Sequence, residues 1–237
     1  MSGAGSLRGA STGSATGVVR SGPDGVPVLE ARDIGFGYVR GTRVLDEWSA
    51  SFPGGVVTAL TGPSGRGKST LLYLLGLMLH PSSGQILIDG SDASSLSDAR
   101  RARVRAERFG FVFQDAALDA TRTVMDNVTE TTLYRGGSRR AGRVRATGLL
   151  ERFGVDVPAH RKPGQVSGGQ AQRIALCRAL LNDPEILLAD EPTGNLDPTT
   201  SAVVVDALRE HAARGAAVIV VTHSPEVAAA CDREIRM

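Results

Sequence analysis

A glycine-rich loop at positions 62–70 carries residue types that bind phosphate in proteins. In order, its residues are Gly62, Pro63, Ser64, Gly65, Arg66, Gly67, Lys68, Ser69 and Thr70. They match the spacing GxxxxGK(S/T), which follows an apolar stretch and precedes a helical pattern here. Glycines let successive backbone N–H groups wrap around a phosphate, and the start of a helix adds partial positive charge. We therefore predict that the loop binds nucleotide phosphates.

Three side chains of this loop have candidate roles of their own. Lys68 supplies a compact, mobile charge for the β- and γ-phosphates, and the Ser69 hydroxyl is a ligand for Mg²⁺. Of the 27 basic residues, all but Lys68 and Lys162 are arginine. A lysine in the loop of such a chain indicates that a guanidinium does not serve there. For Arg66, contact with phosphate and exposure to solvent remain open alternatives.

Two acids follow an apolar strand pattern at positions 186–189. They are Asp190 and Glu191. Ligands of open α/β sheets bind at the carboxyl ends of strands, so we predict that both acids lie beside the phosphate loop. Asp190 would hold Mg²⁺ through water. Glu191 would polarise the attacking water as a general base.

Two further polar residues follow strand patterns. His223 follows residues 217–221, with Thr222 between them, and Gln114 ends the pattern at 109–114. A lone histidine is most often structural, but its place at a strand end assigns His223 to the same site. The Gln114 amide has both a donor and an acceptor, so it could bridge Mg²⁺ and water. Spacing alone favours the alternative that Gln114 is an exposed surface amide.

A second glycine-rich helix start comprises Val166, Ser167, Gly168, Gly169 and Gln170. Ser167 is a candidate N-cap, and the free amides that follow could bind an anion. The segment has no lysine. It either only caps the helix or completes a nucleotide site on another subunit.

Strand-like and helix-like patterns alternate from residue 28 onward. Strands are predicted at 28–38, 43–52, 56–61, 85–88, 109–114, 186–189, 217–221 and 234–236. Helices are predicted at 68–79, 94–108, 167–182, 199–213 and 224–230, and residues 122–159 are predicted to be mostly helical. Arg40, Gly41 and Thr42 form the predicted hairpin turn between the first two strands. This alternation is typical of an α/β fold with a mostly parallel sheet.

Composition limits the functional classes. The 237 residues suit one large or two small domains, and a net charge of +2 argues against nucleic-acid binding. Two cysteines, Cys177 and Cys231, cannot form a disulfide framework. No apolar run reaches the length of a membrane helix, and no signal peptide is visible, so we expect a cytoplasmic location. Residues 1–27 are small, polar and glycine-rich, which predicts a disordered tail.

Taken together, the motifs resemble those of ATP-binding subunits of ABC transporters. The matching elements are Tyr38 as the adenine-stacking aromatic, residues 62–70 as the Walker A loop, Gln114 as the Q-loop, residues 166–170 as the signature, Asp190 and Glu191 as Walker B, residues 195–197 as the D-loop, and His223 as the switch histidine. The resemblance covers residues 28–237. It implies a P-loop NTPase core with a mostly parallel sheet, an antiparallel β edge subdomain and an α-helical subdomain inserted at about 115–182.

The resemblance also implies how two copies cooperate. It predicts a head-to-tail homodimer that holds two ATP molecules with Mg²⁺ between the subunits. Ser167 and Gly169 of one copy, with their neighbours Gly168 and Gln170, would contact the γ-phosphate bound by the other copy. Asp197 would couple the two sites. The expected enzyme is a Mg²⁺-dependent ATPase.

Longer segments, among them "LGLMLHPSSGQILIDG" and "ADEPTGNLD", look like the ATPases of lipoprotein-releasing, macrolide-exporting and cell-division systems. This similarity implies a separate transmembrane permease as partner, with the chain peripheral at the cytoplasmic face of the inner membrane. An alternative is an ATP-driven dimerisation switch that signals through a membrane protein without transport. DNA-repair and translation ABC ATPases fit less well, because they carry a long inserted coiled coil or two ATPase units.

Two arginine clusters have no role in the motifs described so far. One comprises Arg100, Arg101, Arg103, Arg105 and Arg108, and the other comprises Arg135, Arg139, Arg140, Arg143 and Arg145. A solvated surface is the simpler interpretation of both clusters. The alternative for the second cluster is that it faces anionic headgroups or the permease.

Overall fold

A computed structural model of the protein describes residues 26–39, 42–134 and 137–237. The predicted disordered tail therefore lies almost wholly outside the described residues, as do Arg40 and Gly41 of the predicted hairpin turn. Within the described ranges the strands form two sheets, one antiparallel and one parallel.

The antiparallel sheet has the strand order β2-β1-β4-β5. Its strands are β1 (Leu29–Phe36), β2 (Leu45–Phe52), β4 (Ser83–Ile88) and β5 (Ser91–Asp92). Ala31 of the central strand β1 pairs with Ala50 on one side and Ile86 on the other. Leu29, Ala31 and Ile34 are buried, so one face of this sheet packs on the core. The predicted antiparallel edge subdomain is confirmed, whereas the short strand β5 has no counterpart in the sequence prediction.

The parallel sheet has the strand order β6-β7-β8-β3-β9. Its strands are β3 (Val56–Thr61), β6 (Phe109–Val112), β7 (Ile186–Asp190), β8 (Ala217–Val221) and β9 (Arg233–Arg236). Every residue of β7 and β8 is buried, which explains why both strands read as continuous apolar runs. All four strand pairs are parallel, so the carboxyl ends of the strands meet at one edge of the sheet.

Seven α-helices occur among the described residues. They are α1 (Lys68–Leu75), α2 (Asp98–Arg108), α3 (Val124–Tyr134), α4 (Arg139–Arg152), α5 (Gly168–Leu180), α6 (Pro198–Ala213) and α7 (Pro225–Ala230). The helix predicted at 68–79 ends four residues early. Gly76 packs so closely on Phe111 that a Cβ would lie 2.5 Å from the ring, and Leu77 adopts a positive φ of 57°.

The helices α3, α4 and α5 form a group inserted in sequence between β6 and β7, which are neighbours in the parallel sheet. Val128, Ala146, Leu150 and Ile174 belong to the buried core that joins this group to the sheet. An inserted helical subdomain is therefore confirmed. No described helix has the length and apolar character needed to cross a membrane.

Candidate nucleotide site

The phosphate loop leaves β3 at Gly62 and enters α1 at Lys68. Gly62, Gly65 and Gly67 have φ angles of 137°, 78° and 83°, which are unfavourable for residues with a Cβ. At Gly62 a Cβ would also lie 2.6 Å from the carbonyl oxygen of Met237. The loop shape therefore requires glycine at the positions where the sequence motif has it.

Lys68 reaches back over the loop that precedes it. Its Nζ donates to the carbonyl oxygens of Gly62 and Pro63, each at 2.8 Å. The first turn of α1 contains no acidic residue. The ammonium group and the positive end of the helix are thus both free of a carboxylate within that turn, as an anion-binding loop needs.

Asp190 ends β7 and faces the start of α1. The residue is only 2% exposed, and its carboxylate lies beside the Ser69 side chain. Burial raises the pKa of Asp190, and the neighbouring Glu191 charge adds to this rise, whereas Ser69 and Lys68 act in the opposite direction. A hydroxyl and a carboxylate side by side are oxygen ligands of the kind that Mg²⁺ takes when phosphates and water complete its shell. The residues present therefore fit Mg²⁺.

Glu191 is held between the ends of β7 and β8. Its backbone N–H donates to the carbonyl oxygen of Val221 at 2.9 Å, and its φ is 47°. Its Oε1 lies 2.7 Å from His223 Nδ1. The Thr222 hydroxyl donates to Oε2 at 3.4 Å. The strand ends thus fix the carboxylate on both oxygens, and they aim it at the neighbouring loop.

Thr222 is a residue of the site that sequence reasoning missed. It is completely buried, and its hydroxyl also accepts from the Ser224 backbone N–H at 3.1 Å. The signal that could have identified it is its position between an apolar strand and His223.

One cavity of about 590 Å³ joins these groups. The predicted residues that line it are Tyr38, Ser64, Gly65, Gly67, Lys68, Ser69, Thr70, Gln114, Asp190, Glu191 and His223. Gly62, Pro63 and Arg66 belong to the loop but do not line this cavity, and Arg66 is exposed. The structure therefore places all three predicted catalytic residues around the predicted phosphate loop.

Tyr38 stands at the edge of the cavity. Its hydroxyl lies 3.1 Å from Thr70 Oγ1, and its ring meets Phe36 edge-on with centroids 5.0 Å apart. The tyrosine is 64% exposed. An exposed ring held at the start of α1 leaves an aromatic face available to a flat ligand group.

The second glycine-rich segment lies elsewhere. Ser167 caps α5 by accepting from the Gln170 backbone N–H at 3.2 Å, and the Gln170 side chain accepts from the Ser167 N–H at 2.8 Å. A Cβ at Gly169 would lie 3.1 Å from the carbonyl oxygen of Asn195. None of residues 167–170 is among the described residues that line the cavity. One copy of the chain therefore does not bring its two glycine-rich helix starts together.

Asp197, the last residue of the predicted D-loop, caps α6. It accepts from the Thr200 backbone N–H at 3.0 Å and from the Thr200 hydroxyl at 2.6 Å. These Thr200 bonds lower the pKa of Asp197. The carboxylate is exposed and lies outside the cavity. Asn195 and Leu196, which precede Asp197 in the chain, pack against Gly169.

The parallel sheet, the glycine loop and the acid pair at the strand ends define a P-loop NTPase. The family model for the ABC transporter matches residues 45–194. The chain belongs to this family.

Two groups of proteins are similar in sequence to most of this chain. The chain is 43% identical over 216 residues to the lipoprotein-releasing system ATP-binding protein LolD of Roseobacter denitrificans, covering 89% of the chain and 95% of that protein. It is 41% identical over 216 residues to the macrolide export ATP-binding/permease protein MacB 1/2 of Paracoccus denitrificans, covering 90% of the chain. The chain spans 32% of the length of that MacB protein.

Solved structures of the same family have the same fold as this chain. The chain superimposes with a TM-score of 0.84 and 33% identity on the dimeric bacterial ABC transporter cassette MJ0796, covering 88% of the chain and 94% of the cassette. A dimeric post-hydrolysis state of the same cassette, bound to ADP and Pi, gives a TM-score of 0.83. The chain is thus an ABC ATPase subunit of the LolD and MacB type.

Proposed function

We propose that residues 28–237 form a Mg²⁺-dependent ATPase domain, with the helical subdomain at about 115–182, that powers transport through a separate membrane permease. The observation that carries this proposal is the position of Glu191. Its carboxylate lies 2.7 Å from His223 and lines the same cavity as Lys68. A carboxylate that lines the cavity of a phosphate-binding loop is suited to accept a proton from water.

Each side chain of the cavity has a role in this proposal. Lys68 binds the β- and γ-phosphates, and Glu191 accepts the proton of the attacking water. His223 orients the Glu191 carboxylate, and Gln114 lies between the cavity and the helical subdomain. Ser69 and Asp190 would hold Mg²⁺, which when bound neutralises charge on the phosphates. Tyr38 stacks on the adenine.

The ATP site becomes complete only in a head-to-tail dimer. Ser167, Gly169 and Asp197 lie outside the cavity of their own chain, and Ser167 and Gly168 at the start of α5 are exposed. Support for a second copy comes from MJ0796, a dimer on which this chain superimposes closely. In the proposed arrangement Ser167 and Gly169 contact the γ-phosphate held by the partner's loop, Asp197 couples the two sites across the interface, and ATP closes the dimer.

Dimer closure is expected to fail when an arginine replaces Ser167. In a Glu191→Gln background, which retains ATP, Ser167→Arg would put a bulky side chain where the partner's γ-phosphate must approach. We expect an ATP-dependent shift from monomer to dimer in the Glu191→Gln protein and none in the double variant. Light scattering after size-exclusion chromatography measures both.

The matched control is Ser138→Arg in the same background. Ser138 also caps a helix, since its side chain accepts from the Ala141 backbone N–H. This control separates loss of a helix cap from loss of a subunit contact. Dimers of normal affinity in the Ser167→Arg protein, or no dimer in the Glu191→Gln protein with ATP and Mg²⁺, would contradict the shared-site proposal.

A groove between the sheet and the helical subdomain is the proposed permease contact. It has a volume of about 410 Å³ and is lined by Phe109, Phe111 and Phe113, with Arg105 and Arg178 among its other residues. The three rings stack in series, with centroids 5.6 and 5.9 Å apart. The groove also contains one acid, Glu130, so its two arginines leave a net positive charge. An apolar trough of this kind fits a short amphipathic helix that carries an acidic residue.

Phe113 and Gln114 connect the two sites. Phe113 lines the groove, and the next residue, Gln114, lines the nucleotide cavity. Arg178 donates to the carbonyl oxygens of Ala116 and Ala117 at 2.9 and 2.7 Å, so the segment that follows is anchored to α5. A movement of Gln114 at the nucleotide is therefore transmitted through one peptide bond to Phe113 at the proposed permease contact.

An arginine introduced at Ala102 is expected to block permease docking. Ala102 lines the groove on α2, whereas Ala99 lies on the same helix, is exposed and does not line it. We expect Ala102→Arg to lose the membrane protein that copurifies with the wild-type chain, and Ala99→Arg to retain it. Basal ATPase activity should stay unchanged in both. Equal copurification by the two variants would exclude this groove as the docking surface.

Transport and signalling use the same ATPase, and the similarity to LolD and MacB favours transport. Reconstituting the chain with its copurified permease in vesicles separates the two functions. ATP-dependent movement of a lipoprotein, lipid or drug supports transport. ATP-driven dimerisation without movement supports the switch. Docking on the permease would place the chain at the cytoplasmic face of the inner membrane.

A further inference from the structure

A cleft between α3 and α4 is rich in arginine. It has a volume of about 530 Å³ and contains Arg122, Arg139, Arg140 and Arg143 together with Asp126 and Glu130. Four cations therefore face two acids in one depression of the helical subdomain. The cleft is separate from the nucleotide cavity, which shares none of these residues.

A glycine shapes the floor of this cleft. Thr132 of α3 lines the cleft, is 7% exposed, and packs against Gly142 of α4, where a Cβ would lie 2.8 Å from the threonine hydroxyl. That hydroxyl has no hydrogen-bond partner within the described residues. The close approach of the two helices brings the arginines of both onto one depression.

The two acids are already engaged by two of the arginines. Arg122 lies 3.2 Å from Glu130, and Arg143 lies 3.7 Å from Asp126. No acidic residue occurs in the sequence between Glu130 and Glu151. Arg139 and Arg140 are therefore the excess charge of the cleft, and both are exposed.

The position of Arg139 and Arg140 increases this excess. Both lie in the first turn of α4, a helix of 14 residues with no acid in that turn. The start of a helix carries partial positive charge, so cations there are unfavourable unless an anion joins them. The fold thus places two guanidinium groups at a helix start, where a bound anion would compensate their charge.

We propose that this cleft binds a phosphate-bearing anion. Guanidinium groups bind phosphate oxygens in pairs, and several in one depression provide the specific geometry that a single surface arginine lacks. Glu130 lines both this cleft and the proposed permease groove, so the two features are neighbours. If the permease docks as proposed above, the cleft lies near the membrane, and the anion with the shortest route to it is the phosphate of an anionic lipid headgroup. A soluble phosphate compound shares the chemistry.

The test uses the full chain and two pairs of substitutions. Arg139→Gln with Arg140→Gln removes the excess charge of the cleft. Arg100→Gln with Arg145→Gln removes the same charge from exposed positions that do not line it. Co-sedimentation with phosphatidylcholine vesicles, with and without phosphatidylglycerol, measures lipid binding. Calorimetry with pyrophosphate in a Lys68→Ala background measures soluble phosphate binding without interference from the nucleotide loop.

Each arginine near an anionic surface strengthens binding roughly fivefold, so loss of two should weaken it about 30-fold. We therefore expect the affinity for phosphatidylglycerol vesicles to fall by that factor in the cleft variant and to persist in the control. Loss of pyrophosphate binding in the cleft variant alone, without vesicle binding, would support a soluble phosphate source. Equal losses in both variants, or binding in neither assay, would overturn the proposal. ATPase activity of the cleft and control variants that keep Lys68 tests the proposed function independently, since no cleft arginine lines the nucleotide cavity.

Discussion

Replacing Glu191 with glutamine is expected to lower kcat for ATP hydrolysis by roughly 10²–10⁴-fold while ATP affinity is retained, as for loss of a general base. Glutamine has the same size, and its amide oxygen can still accept from His223, which lies 2.7 Å from the carboxylate. The amide cannot accept a proton from water. The substitution therefore removes the chemistry of Glu191 and keeps the shape of the site.

Steady-state ATPase assays and calorimetric ATP binding measure the two quantities separately. Glu185→Gln is the matched control. Glu185 lies just before β7, at the opposite end of that strand from Glu191, and it pairs with Arg108 away from the cavity. The control should keep wild-type kcat. A Glu191→Gln protein with undiminished turnover would show that another group accepts the proton.

The cavity could be predicted because its residues lie at the ends of sequence patterns. Gln114, Asp190 and His223 each follow an apolar strand, and parallel strands bring their carboxyl ends to one edge. Lys68 follows glycines whose positive φ angles only glycine adopts readily. Local pattern and global topology point to the same place for Lys68, Asp190 and His223. For Gln114 spacing alone favoured an exposed surface amide, and only the resemblance to the family assigned it to the site.

Other features depend on contacts between distant segments and leave little trace in the sequence. The early end of α1 follows from the packing of Gly76 on Phe111, which lies 35 positions further along the chain by the numbering. The positive φ of Glu191 and the hydroxyl contact of Thr222 likewise depend on β8 lying beside β7. The two glycine-rich helix starts lie apart in one chain, which is why residue types alone left the role of Ser167 open.

Replacing Lys68 with alanine is expected to weaken ATP binding by roughly 10²-fold or more, since a hydrogen bond to a charged group contributes about 1.5–3 kcal/mol and Lys68 can make several. In the structure Nζ is held by the carbonyl oxygens of Gly62 and Pro63, both at 2.8 Å. The ammonium is therefore already positioned over the loop, and it needs little reorganisation to meet phosphate oxygens. Calorimetric titration with ATP and Mg²⁺ measures the loss.

Lys162→Ala is the matched control for this charge, because Lys162 is the other lysine of the chain, is exposed, and lies outside the cavity. It should bind ATP normally.

Lys68→Arg tests why lysine occurs in the loop of an arginine-rich chain. A planar guanidinium is too broad to replace a compact ammonium held by two loop carbonyls, so we expect Lys68→Arg to lose affinity as well. Normal ATP affinity in Lys68→Ala would contradict the phosphate-loop assignment, whereas normal affinity in Lys68→Arg alone would show that charge suffices and shape does not matter.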